Sequence, residues 1–74
     1  MKNQISTQFT IETEQEEDGR WIAEISEIPG VMVYGGNEEE AIAHVQALVL
    51  RVIADKIEHG EIASGLTSLT FVAA

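Results

Sequence analysis

The hydrophobic period changes at Gly35-Gly36-Asn37, and this switch sorts the chain into its elements. Before it, apolar residues recur at every second position. After it, they recur at helical spacing. Period two with β-branched residues reads as half-buried strand, and a period near 3.6 as amphipathic helix. From Ile5 to Gln15, Ile5, Phe9 and Ile11 fall on odd positions, while Gln8, Thr10, Glu12 and Glu14 fall on even ones. Glu16-Glu17-Asp18-Gly19 has no apolar residue, and Asp-Gly is a strong hairpin signal. A second strand is predicted from Arg20 to about Ile28, with Trp21, Ala23 and Ile25 alternating against Ile22, Glu24 and Ser26. Pro29 has no ladder donor and Gly30 permits positive φ, so Pro29-Gly30 breaks that strand. Val31-Met32-Val33-Tyr34 reads as a short third strand at an edge, ended by Gly35-Gly36.

The first hairpin has a predictable register. A two-residue loop at Asp18-Gly19 would pair Glu17 with Arg20 and set Trp21 and Ile25 on the face of Glu12 and Glu14. A three-residue loop, with Gly19 left-handed in a G1 bulge, pairs Glu16 with Arg20. That places Trp21, Ala23 and Ile25 beside Gln15, Thr13, Ile11 and Phe9 on one largely apolar face. Register follows the buried face, so the three-residue loop is expected.

Asn37 is suited to a helix N-cap, and Glu40 three residues on suits the reciprocal half of a capping box. Glu38, Glu39 and Glu40 lie in the first turn, and Lys56 and His59 in the last, as the helix dipole favours. Gly60 suits the C′ position. These signals predict a helix over 38–59. A fourth strand is predicted from Leu66 to Val72, with Leu69 and Phe71 on one face. The resulting order is β-β-β-α-β, an α+β fold with a three-stranded antiparallel meander and a helix packed on one sheet face. The 74 residues have room for one core, so residues 1–74 are read as a single domain.

Ala41, Ile42, Val45, Leu48, Val49, Val52 and Ile53 form one wide helical stripe suited to covering the sheet. The opposite side carries Ala43, Ala47, Leu50 and Ala54, with Ile57 nearby. Alanine is the best helix former and needs no partner to explain it. A helix apolar on two sides also suits packing against another subunit, so these four residues are the expected surface of a homo-oligomer, dimer or tetramer. The outer sheet face carries Ile22, Met32 and Tyr34 among polar neighbours.

Lys and Arg number 4 against 13 Asp and Glu, a formal net charge of −9. So acidic a surface repels phosphate backbones and disfavours direct nucleic-acid binding, but it suits a basic partner. The absence of cysteine excludes disulfides, thiolate metal sites and cysteine nucleophiles, and is compatible with the cytoplasm. The polar stretch Met1 to Gln8 lacks the apolar run of a signal peptide. Ala41 to Ala54 is too short and too polar to span a bilayer. His44 and His59 lie about four turns apart on one helix, too far to share a metal. The acids Glu14, Glu16, Glu17 and Asp18 lack a calcium-loop pattern. Gly35-Gly36-Asn37 is followed by three glutamates that repel phosphate, and no phosphate-loop motif is present. No base is recognisably placed to activate a serine or threonine. No catalytic residue, metal or cofactor is expected.

The ordered set Glu17-Asp18-Gly19, Trp21-x-Ala23-Glu24-Ile25, Ile28-Pro29-Gly30-Val31 and Gly35-Gly36-Asn37-x-Glu39-Glu40-Ala41 resembles the HicB-like antitoxin family over about residues 5 to 60. The resemblance implies a partial ribonuclease-H-like fold with sheet order 3-2-1-4 and the last strand parallel to the first. It implies a non-enzymatic domain that neutralises a small basic toxin cleaving messenger RNA, by covering its RNA-binding or catalytic surface. The partner interface expected on this basis comprises Trp21, Ile22, Met32 and Tyr34 with the acids Glu16, Glu17 and Asp18. Val31 stands where the family commonly has cysteine. The helix-turn-helix or ribbon-helix-helix segment of many members has no counterpart up to Ala74, so a stand-alone domain is expected. The rival reading is a homo-oligomeric regulatory or ligand-binding module with no toxin.

Overall fold

A computed structural model describes residues 5–61 and 66–74. Strand β1 (Ile5–Gln15) is followed by β2 (Trp21–Ile25), β3 (Met32–Gly35), helix α1 (Glu38–Glu58) and β4 (Leu66–Ala73). The strands form one mixed sheet of order β3-β2-β1-β4. β1 is antiparallel to β2 and β2 to β3, while β4 runs parallel to β1. The helix lies on one face, so the expected α+β architecture and strand order are those of the protein.

The first hairpin takes the three-residue loop. Glu16 N–H donates to the Arg20 carbonyl at 2.7 Å and Gly19 N–H to the Glu16 carbonyl at 2.9 Å. Gly19 sits at φ +91°, a conformation glycine adopts without a Cβ clash. Gln15 therefore faces Trp21, Thr13 faces Ala23 and Ile11 faces Ile25. One apolar face is assembled, as the register argument requires.

The second strand is shorter than its apolar pattern suggests, ending at Ile25 and not near Ile28. Ile28 N–H turns back to the Ile25 carbonyl, and Val31 N–H to the Ile28 carbonyl at 3.2 Å. Two consecutive turns thus replace the last part of the ladder. Beyond Ser26, Glu27 takes the place of the missing strand. Its carboxylate accepts from Thr10 N–H and from the Thr10 hydroxyl, both at 2.8 Å. The third strand is displaced by one residue from its expected span, to Met32–Gly35: the Val31 carbonyl still accepts from Ile25 N–H, but the Val31 N–H donates to the Ile28 carbonyl and not across the ladder.

Helix α1 begins at Asn37, whose side chain accepts from Glu40 N–H at 2.8 Å. Glu40 reaches back to Gly36 N–H at 2.7 Å, one residue earlier than a capping box would. At the other end Gly60 has φ +72°. Its N–H meets the Ile57 carbonyl, and Glu61 N–H meets the Lys56 carbonyl at 2.8 Å. This is a Schellman closure that satisfies the last carbonyls. The helix ends one residue before the predicted limit, with His59 as its cap.

Ala41, Val45 and Val49 from α1 close over Phe9, Ile11, Ala23, Ile25 and Val31 from the sheet side, and all eight are buried. Trp21, Ile42, Leu48, Ile53, Leu69 and Phe71 pack around this cluster half-buried. Gly35 is where helix and sheet come closest: a Cβ there would lie 2.8 Å from Ala41 Cα and nearer still to Ala41 N. The helix packs chiefly on β3 and β2 and less on β1.

Candidate partner-binding surfaces

Three regions hold the residues expected to meet other proteins, and alternation along the strands decides which of them meet. Ile22 pairs with Tyr34, and Glu24 with Met32, on the sheet face away from the helix. Glu14 and Glu12 continue these rows on β1. Met32 is 49% and Tyr34 42% exposed, while Ile22 is half-buried. The outer face therefore carries an apolar patch at its β3 end, beside a band of carboxylates. Trp21 does not join them. It lies on the helix-side face, packed against the core, because residues one apart in a strand point to opposite faces.

The acidic hairpin tip is tied to this outer patch. Asp18 accepts from Arg20 N–H at 3.0 Å and from Arg20 Nε at 2.7 Å. The same guanidinium lies over the Tyr34 ring, 4.4 Å from its centroid, within cation–π range. Arg20 thereby links the tip to Tyr34. The Arg20 backbone N–H, and then its side chain, hold the Asp18 carboxyl below the usual range. Glu17 and Asp18 are exposed and Glu16 half-buried. The tip thus gathers three acids, of which Asp18 is already paired with Arg20 and Glu17 is left exposed.

Carboxylates also ring a shallow depression of about 270 Å³ on the outer face, bounded by Glu12, Thr13, Glu14, Ile22 and Glu24. Glu12 accepts a short hydrogen bond from the Ser26 hydroxyl. Among the described residues, no group of three His, Cys, Asp or Glu side chains is gathered as a metal site would require. His44 donates through Nδ1 to the Tyr34 carbonyl at 3.0 Å, and His59 to the Asp55 carbonyl at 2.8 Å. Both rings thus brace the backbone from opposite ends of the helix.

The third region is the helix back. Ala43, Leu50 and Ala54 are exposed, Leu50 by 51%, and Ala47 is half-buried. The four lie on the side of α1 away from its sheet, with Ile57 next to them, 42% exposed. Beside them runs a feature that the sequence reading did not identify. A groove of about 500 Å³ opens between α1 and the β1–β4 pair, with Ile42 and Gln46 on one wall and Phe71 and Ala73 on the other. Phe71 stacks obliquely on Phe9 at 6.1 Å and keeps part of its surface open. The width of the sheet could have flagged it. Four strands at ~4.8 Å spacing exceed what one helix ~10 Å across can cover.

Among the described residues, no helix is long and apolar enough to cross a membrane. No family model, curated protein or solved structure matches the chain.

Proposed function

We propose that this chain is a non-enzymatic, cytoplasmic binding domain of the HicB-like kind, a homo-oligomer that inhibits a small basic ribonuclease toxin by covering its RNA-binding or catalytic surface. One juxtaposition carries the reading: an acidic hairpin tip joined through Asp18, Arg20 and Tyr34 to an exposed apolar patch. Negative charge accelerates encounter with a cationic partner, and the apolar patch then supplies contacts that slow its departure. The net charge of −9 adds long-range attraction and keeps RNA away from the covered surface.

The test is capture of a short basic protein with an essential histidine, encoded beside this chain. Binding is expected at low salt and should weaken as salt rises. Replacing Met32 by Glu and Tyr34 by Ala together removes the patch without touching the core, and should weaken capture about tenfold or more. Capture that ignores both salt and these changes refutes the proposed surface. RNA incubated with the chain and magnesium or manganese should remain intact, and turnover would end the non-enzymatic reading. A second reading, a homo-oligomeric module with no toxin that takes a small ligand at a subunit interface, is favoured by the open groove beside α1. It predicts no capture of the neighbouring basic protein.

A further inference from the structure

We infer that two copies of this chain join β4 to β4, antiparallel about a two-fold axis at Thr70, so that their sheets run on as one. The inference rests on the homo-oligomeric part of the function proposed above and gives it a surface other than the helix back. β4 is an outermost strand, and among the described residues no strand pairs with its outer side. Strand alternation decides which backbone groups are left over there. Ala74 N–H donates to the Ile11 carbonyl, so Val72 and Thr70, of the same parity, also aim their N–H and C=O at β1. Leu69, Phe71 and Ala73 aim theirs outward.

The two edges of the sheet differ. β3 has 4 residues and runs into Gly35-Gly36, and a short edge strand guards against edge-to-edge pairing. β4 has 8 residues. Its register shifts once, between Ile5 and Ser6 of β1, and is then unbroken from Ser68 to Ala73. It holds none of the lysines or prolines that blunt an edge. From Ile62 to Ala74 no side chain is charged, in a chain of net charge −9. A second β4 is therefore the strand that this acidic chain can itself bring to the edge with no like charges opposite one another. The outward groups match about the proposed axis. With Thr70 opposite Thr70, Leu69 of each copy faces Phe71 of the other, and each such pair exchanges both its N–H···O bonds. Phe71 stacks on Phe9 on the helix side of the sheet, and Leu69 shares its parity. Both are half-buried, and each gains an apolar cross-strand neighbour, while Thr70 gains a threonine on the other face. One two-fold axis uses up both β4 edges, as in an isologous dimer. Salt strengthens this pairing by screening two acidic copies, opposite to its effect on a basic partner.

Sedimentation of the full chain across a concentration series, at low and high salt, gives the oligomeric state, and a dimer favoured by salt is expected. Thr70 and Ser68 are both exposed, and the chain has no cysteine to compete. On the axis the two Cα atoms of position 70 stand ~4.5 Å apart, within the ~4.4–6.8 Å of a disulfide. Those of position 68 stand roughly 14 Å apart, out of reach. Thr70→Cys should therefore oxidise to a disulfide-linked dimer in a glutathione redox buffer, and Ser68→Cys should not. Thr70→Lys sets two ammonium groups against each other at the axis. It should raise the dissociation constant about tenfold or more while leaving the circular dichroism spectrum unchanged. A dimer in which Thr70→Cys cross-links no more than Ser68→Cys, or that keeps its affinity in Thr70→Lys, overturns the β4 pairing while leaving homo-oligomerisation standing. A monomer at every concentration and salt overturns both.

Discussion

Gly35→Ala tests the packing on which every surface described above depends. Gly35 has no unusual backbone angle; positive φ is found at Gly19, Gly30 and Gly60. Its requirement for glycine is therefore steric and tertiary. An added Cβ would stand 2.8 Å from Ala41 Cα and 3.0 Å from the Glu40 carbonyl carbon. Both are backbone atoms that cannot swing aside. Carbon atoms rest ~3.5–4.0 Å apart, so the first turn of α1 must retreat by about 1 Å. A gap of that size forfeits a quarter to a half of the dispersion attraction of the atoms lining it. Ala41 and Val45 are fully buried, so the loss falls on the centre of the core. Overpacking of this kind costs ~1–3 kcal/mol, and we expect the upper end, ~3 kcal/mol, because neither colliding group is a side chain. For a domain of this length, that is a melting-temperature loss of roughly 12–24 °C. The control is one residue away: a Cβ at Gly36 would meet only the Glu40 carboxylate at 3.6 Å, an ordinary contact. Thermal unfolding followed by circular dichroism, at matched protein concentration, compares the two variants. If Gly35→Ala melts within a few degrees of the parent, or if Gly36→Ala loses as much, the close approach of helix and sheet is wrong.

Two other perturbations probe the devices that terminate elements. Thr10 N–H and then the Thr10 hydroxyl hold the Glu27 carboxyl below its usual value of 4.5. A depressed folded-state value contributes stability above the unfolded value and loses it as pH falls through the folded one. Melting temperature should therefore decline with acidification below about 4.5, and Glu27→Gln should flatten part of that decline; an unchanged profile in the variant would show that the bond to Thr10 does not form. Asn37→Ala removes the side-chain acceptor for Glu40 N–H and should cost ~1 kcal/mol in urea unfolding, whereas Asn37→Asp should retain most of the parent stability; equal losses in the two variants would reject the cap.

Much of the molecule is decided by residues close together in the chain. Period two before Gly35 and period 3.6 after it separate strands from helix. Asp18-Gly19 and the need to keep Ile11, Ala23 and Ile25 on one side determine the hairpin register, because a slip of one residue would turn the apolar set to solvent. Asn37, the three glutamates after it and Gly60 delimit α1 through hydrogen bonds that span only a few residues. Even the separation of Trp21 from Ile22, Met32 and Tyr34 follows from strand alternation, although these four residues were expected to act together.

Other features depend on contacts between distant segments, and local pattern cannot supply them. Nothing in Leu66–Ala73 alone says that it lies beside β1 and not at the β3 edge; that depends on which arrangement buries Phe71 against Phe9, 62 positions away. Past the early end of β2, Glu27 reaches Thr10 across 17 residues, a bond invisible to propensity. The glycine requirement at Gly35 and the groove beside β4 arise from where the helix rests on the sheet. Local hydrogen bonds and side-chain alternation act over a few residues. The placement of a helix on four strands is settled by the packing of the whole core.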